Sequence, residues 1–124
     1  MAASLKPVHW IASSRNDLRG FPAEVQRTLG YALFRAQDGK KAPDAKPLRG
    51  IIAGAGVLEV VEDFDTDTFR LVYTVRFAEV VYVLHAFQKK ATRGSQTPKH
   101  DIDLIRQRYA AAKAHYDSTG RVPR

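Results

Sequence analysis

Three strand-forming segments crowd into the 32 residues from Val57 to Gln88. They are Val57–Asp63, Phe69–Phe77 and Val80–Gln88, rich in Val, Phe and Tyr. Asp65-Thr66-Asp67-Thr68 marks one turn and Ala78-Glu79 the other. A parallel crossover needs a dozen or more residues, which neither gap supplies. The three segments must therefore form an antiparallel meander.

Alternation along the middle strand sorts its side chains. Phe69, Leu71, Tyr73, Val75 and Phe77 point one way; Arg70, Val72, Thr74 and Arg76 point the other. The first set is expected to meet helices, the second to face solvent or a ligand. A two-residue turn at Ala78-Glu79 sets Arg70 opposite Phe87, Val72 opposite His85 and Arg76 opposite Val81. A four-residue loop pairing Phe64 with Phe69 sets Asp63 opposite Arg70 and Glu59 opposite Thr74. Glu59 and Asp63 then read as ion-pair partners for arginine.

The flanking segments read as follows. Val8–Ala12 is a first strand, and Ser13-Ser14 starts a short helical stretch that Gly20 ends. Val25, Leu29, Ala32, Leu33 and Ala36 recur at helical spacing from Pro22 to Gln37. Lys40 to Gly56, with two prolines and three glycines, is a 17-residue loop. Thr97 as N-cap and Pro98 at the first helical position open a helix running to about Tyr116. Ile102, Ile105, Tyr109 and Ala112 fall on one face of it. The expected fold is a single α+β domain spanning residues 1–124, with residues 117–124 as a frayed tail. Its order is β-α-α-β-β-β-α, a small antiparallel sheet with helices on one face.

Charge gives the first functional hint. The net charge is +7. Residues 1–69 hold nine basic and nine acidic side chains; residues 70–124 hold eleven and four. The entire excess lies in the C-terminal part, which points to a polyanion such as nucleic acid. Lys89, Lys90 and Arg93 cluster where the last strand ends, and Lys99 follows at the helix start. Together with Arg76 these residues suit a phosphate backbone. They equally suit an exposed strand edge defended by lysines.

With no cysteine, a disulfide scaffold, a thiolate zinc site and a cysteine nucleophile are excluded. His9, His85, His100 and His115 are widely spaced, and no glycine-rich phosphate loop or dinucleotide fingerprint occurs. No metal and no cofactor is expected. No apolar run approaches a membrane span, and no secretion signal opens the chain, so a cytoplasmic location without a membrane partner is expected.

Phe69-Arg70-Leu71-Val72-Tyr73, the run Leu84–Lys90 and the Thr97-Pro98 helix start with Arg106 and Arg108 resemble the phage-derived HigB-type toxin family of the RelE-like superfamily. Phe21-Pro22, Gln37-Asp38-Gly39 and Leu48-Arg49-Gly50 extend the resemblance over roughly Val8 to Tyr116. It implies a type II toxin–antitoxin toxin, a ribosome-dependent endoribonuclease (mRNA interferase) that cleaves mRNA and inhibits translation. It implies two partners, a cognate helix-turn-helix antitoxin and mRNA on the ribosome. Under it, Arg70 matches the arginine that stabilises the cleaved phosphate, and Lys89 or Lys90 falls near the basic catalytic position. The strand Leu58–Asp63 departs from the pattern by carrying no basic residue.

Metal-independent cleavage by the RNA's own 2′-OH needs proton transfer and a charge stabiliser. Arg70 suits the second task, since guanidinium binds phosphate oxygens bidentately and stays charged. His85 is the candidate for proton transfer, with Lys89 as acid or positive charge. Two other readings stay open: a non-catalytic RNA- or ribosome-binding module, and a protein-interaction domain paired with the antitoxin.

Overall fold

The computed structural model describes residues 5–48, 50, 51, 56–90 and 97–119. Its elements are β1 (Val8–Trp10), α1 (Ser14–Arg19), α2 (Ala23–Gln37), β2 (Lys46–Pro47), β3 (Val57–Phe64), β4 (Asp67–Thr74), β5 (Val81–Lys90) and α3 (Lys99–Ser118). The sheet order is β1-β5-β4-β3-β2. The β3-β4-β5 meander is antiparallel as expected. The sheet as a whole is mixed, because β1 joins β5 in parallel, with Val8 opposite Val81 and Trp10 opposite Val83.

The first hairpin turns at Asp65-Thr66, both in the left-handed region at φ 52° and 69°. Phe64 therefore pairs with Asp67, and Val61 rather than Asp63 faces Arg70. The expected register is off by two residues. An even slip leaves every side chain on its expected face, so Glu59 still shares the face of Arg70.

The second hairpin departs from expectation differently. β4 ends at Thr74, not Phe77, because the chain turns there toward Gly56. Thr74 Oγ1 and the Val75 amide both donate to the Gly56 carbonyl, at 3.1 and 3.3 Å. The turn at Ala78-Glu79 is thus part of a longer connection, and Arg76 lies beyond β4 rather than opposite Val81. Arg70 nonetheless faces Phe87, and Val72 faces His85. A bulge between Val72 and Tyr73 absorbs the difference in loop length.

Helices cover both faces of the sheet, not one. Val25, Leu29, Ala32, Leu33 and Ala36 of α2 pack on Val60, Phe69, Leu71, Tyr73, Val81 and Val83. Ile105, Ala112 and Tyr116 of α3 pack on Val72, Tyr82, Leu84 and Phe87 on the opposite face. β5 is consequently buried from Val81 to Phe87. An apolar run without alternation is the signature of a strand covered on both sides, and Val80–Phe87 carries that signature apart from His85.

Helix starts fall one residue later than expected: Pro22 and Pro98 are the N-caps of α2 and α3. Thr97 does not cap α3, and its hydroxyl instead donates to Glu59 Oε2 at 3.4 Å. None of the helices, among the described residues, is long and apolar enough to cross a membrane.

Candidate functional site

β4 and β5 bring Arg70 and His85 onto one face, as diagonal neighbours. Arg70 stands opposite Phe87, two residues along from His85. This face lies under α3, so both side chains are buried. Three polar connections make that burial tolerable, since buried charge and polar groups need partners.

The first is an ion pair. Arg70 Nη1 donates to Glu59 Oε2 at 2.9 Å, with the side chains 5% and 13% exposed. Thr97 reaches the same carboxylate oxygen. Glu59 thus ties the arginine of β4 to Thr97, two residues before α3.

The second and third connections meet at His85. Its Nε2 lies 2.7 Å from Asp101 Oδ1, and its Nδ1 lies 3.1 Å from Arg108 Nη1. A guanidinium has donors only. Nδ1 must therefore accept from Arg108, which leaves the ring proton on Nε2 to donate to Asp101. Arg108 Nη1 also donates to the Leu84 carbonyl, and its Nη2 to Ser13 Oγ, whose hydroxyl donates to Asp17 Oδ2. Phe87 stacks on the imidazole at 4.6 Å between centroids.

Burial pushes the His85 pKa below its ordinary 6.5, the hydrogen bond from Nε2 to Asp101 opposes that shift, and the Arg108 charge reinforces it. His85 is held neutral and in a single tautomer. A neutral imidazole is the form that accepts a proton. Burial likewise pushes Tyr73 up to about 12, which removes it from acid–base work.

The remaining candidates scatter. Lys89 stands in register opposite Thr68, and Lys90 opposite Asp67, at the end of the hairpin nearest Arg70. Arg76 is exposed beyond β4. Lys99, in the first turn of α3, pairs with Asp103 at 3.1 Å across an exposed helical step. Arg93 lies outside the described residues.

Sequence reasoning missed Asp101 as a partner of His85, and the joint role of Ser13, Asp17 and Arg108. One signal was available. Asp101 and Arg108 are seven residues apart, about two helical turns, and so share a face of α3. Among the described residues, no cluster of His, Asp or Glu is arranged to hold a metal ion.

No curated protein matches the chain. Among solved structures, a chain of the toxin–antitoxin complex RelBE2 from Mycobacterium tuberculosis is similar at 20% identity and a TM-score of 0.47. That match covers 68% of this chain and 99% of the other. A family profile described as "Phage derived protein Gp49-like (DUF891)" matches residues 16–110. That span runs from α1 through Arg108 and includes Arg70, His85 and Asp101. The chain therefore belongs to the Gp49-like family of phage-derived proteins.

Proposed function

We propose that this protein is the toxin of a type II toxin–antitoxin pair, of the HigB type, and cleaves mRNA on the ribosome as a metal-independent endoribonuclease. Membership of the Gp49-like family and the resemblance carried by Phe69–Tyr73 and Leu84–Lys90 support this reading. The observation that carries it is the placement of a permanently charged guanidinium, Arg70, beside a histidine held neutral, His85.

In the proposed reaction the RNA 2′-oxygen attacks the adjacent phosphorus, and the bond to the 5′-oxygen breaks. The products are a 2′,3′-cyclic phosphate and a free 5′-hydroxyl. Arg70 binds the phosphorane oxygens, exchanging the Glu59 carboxylate for another oxyanion of similar fork geometry. His85 takes the 2′-hydroxyl proton at Nδ1 when Arg108 moves from that nitrogen to the substrate. Lys89 or Lys90 supplies the proton or positive charge at the leaving oxygen. The antitoxin, a helix-turn-helix protein, pairs with the toxin.

Expression should arrest growth and leave new 5′ ends within translated mRNA, and Arg70→Ala should abolish both. Unchanged mRNA ends on expression of the wild-type protein would overturn the reading. One observation favours a second reading. β3 offers Arg70 a carboxylate and no basic residue, which suits a non-catalytic RNA- or ribosome-binding module. That module would bind RNA in a salt-sensitive manner and leave it intact.

A further inference from the structure

The pairing of β1 with β5 stops at Trp10 and Val83. Beyond that point α1, not a strand, lies along the outer side of β5. A cleft of about 400 Å³ opens there, lined by Asn16, Asp17, Phe21, His85, Phe87 and Gln88 among others. Sites that take small ligands span about 300–1,000 Å³.

The charge of this cleft runs against that of the chain. Among the described side chains no lysine or arginine lines it, and its fixed charge is the Asp17 carboxylate. The surrounding protein carries +7. The Asp17 carboxylate attracts a group rich in N–H donors. Asp17 Oδ2 accepts the Ser13 hydroxyl at 2.7 Å, and the carboxylate has no further partner among the described residues. An ionised carboxylate offers about four lone-pair sites, so most of its accepting capacity stays available.

The walls add a second constraint. Phe21 and Phe87 line the cleft together with Asn16 and Gln88. Aromatic rings with a few polar side chains are how proteins hold unstacked bases of single-stranded RNA. Among the four bases, guanine alone presents two adjacent donors, N1–H and N2–H, that match both oxygens of a carboxylate. Adenine and cytosine present a donor beside an acceptor, and uracil a donor between two acceptors.

We propose that the cleft between α1 and β5 is a base-recognition subsite that takes guanine of a single-stranded RNA, with Asp17 reading its Watson–Crick edge. This rests on the RNA-cleaving reading and adds to it the base held beside the reacting phosphate. Asn16 and Gln88 supply amide donors for the guanine O6, and Phe21 supplies a stacking surface.

The test titrates the isotope-labelled protein with guanosine, adenosine, cytidine and uridine 5′-monophosphates and with inorganic phosphate, following amide resonances. Guanosine monophosphate should shift Asn16, Asp17 and Gln88 and bind about tenfold more tightly than the others, within the span of one bidentate base contact. Asp17→Asn should bring the four affinities to within about twofold, because one accepting oxygen becomes a donor. Gln88→Ala, at an exposed position on β5 rather than on α1, should weaken the guanine nucleotide most, which keeps the test valid if Asp17→Asn disturbs the helix. Equal binding of the four nucleotides, or the same shifts with phosphate alone, would overturn the proposal. Mapped mRNA ends separate it from the parent reading. Cuts without guanine selectivity in the titration sink the subsite and leave the ribonuclease standing. Asp17-dependent guanine binding with intact mRNA does the reverse.

Discussion

Arg108 donates to Nδ1 of His85 at 3.1 Å, and this bond fixes the proton of a buried imidazole on its other nitrogen. Asp101 accepts that proton at 2.7 Å. A helix and a strand are thus joined through one ring whose charge state determines whether the joint holds. A proton on Nδ1 would set two donors against each other.

Stability should therefore depend on pH through His85. Its folded pKa lies below the unfolded 6.5, so the unfolded chain binds the proton first as pH falls. The wild-type protein should lose stability as pH drops below about 6.5, until the lower folded pKa is passed. Urea midpoints at pH 7.5 and 5.5 should differ more for wild type than for His85→Gln. Equal differences in the two proteins would contradict the assignment.

Replacing Arg108 removes donors to three acceptors, Leu84 O, His85 Nδ1 and Ser13 Oγ. Arg108→Met should destabilise by about 1–3 kcal/mol, the cost of leaving the acceptors of buried Leu84 and His85 unpaired. It should also raise the His85 pKa, because a nearby positive charge is gone. Chemical denaturation and an NMR titration of the imidazole resonances measure the two effects separately.

The Arg70–Glu59 pair should be strongly non-additive. Glu59→Leu alone leaves a buried guanidinium without its carboxylate, which costs about 3–5 kcal/mol. Adding Arg70→Met should recover most of that loss, since an apolar pair of similar volume is often neutral in such sites. A double-mutant cycle read by urea unfolding gives the coupling. Simple additivity of the two changes would refute a coupled pair.

Tyr73 is fully buried, and its hydroxyl has no hydrogen-bond partner among the described residues. Tyr73→Phe deletes that group and keeps the ring, so it should leave stability unchanged or raise it by about 1 kcal/mol. A lower melting temperature would show that the hydroxyl is satisfied in solution.

The turn between β3 and β4 holds Thr66 at φ 69°, where a β-branched side chain is strained. Thr66→Gly should stabilise by about 1–2 kcal/mol, the left-handed penalty for a residue with a Cβ. Thr66→Val should not. Thermal unfolding of the two variants provides the comparison.

Much of this arrangement was legible in the sequence because it depends on local rules. Alternation in Phe69–Thr74 placed Arg70 and Val72 on one face, and short connections forced the antiparallel meander. The face shared by Glu59, Arg70 and His85 survived a wrong loop length, because the slip in the first hairpin was even and a bulge corrected the second. Arg76 did not survive, because Thr74 diverts the chain to Gly56, a contact 18 residues away that no local pattern encodes.

The sequence by itself thus determined the α+β class, the strand order of the meander and the pairing of Arg70 with Phe87. Only the tertiary structure decided what covers that face. α3, the element that follows β5, closes over it, and β1 adds a parallel edge to a sheet otherwise read as antiparallel. The reason is physical. Periodicity fixes which side chains share a surface, but a surface becomes a buried polar site only when another element removes its water. Glu59, Asp101 and Arg108 acquire their roles at that step, when burial makes each hydrogen bond to Arg70 and His85 obligatory.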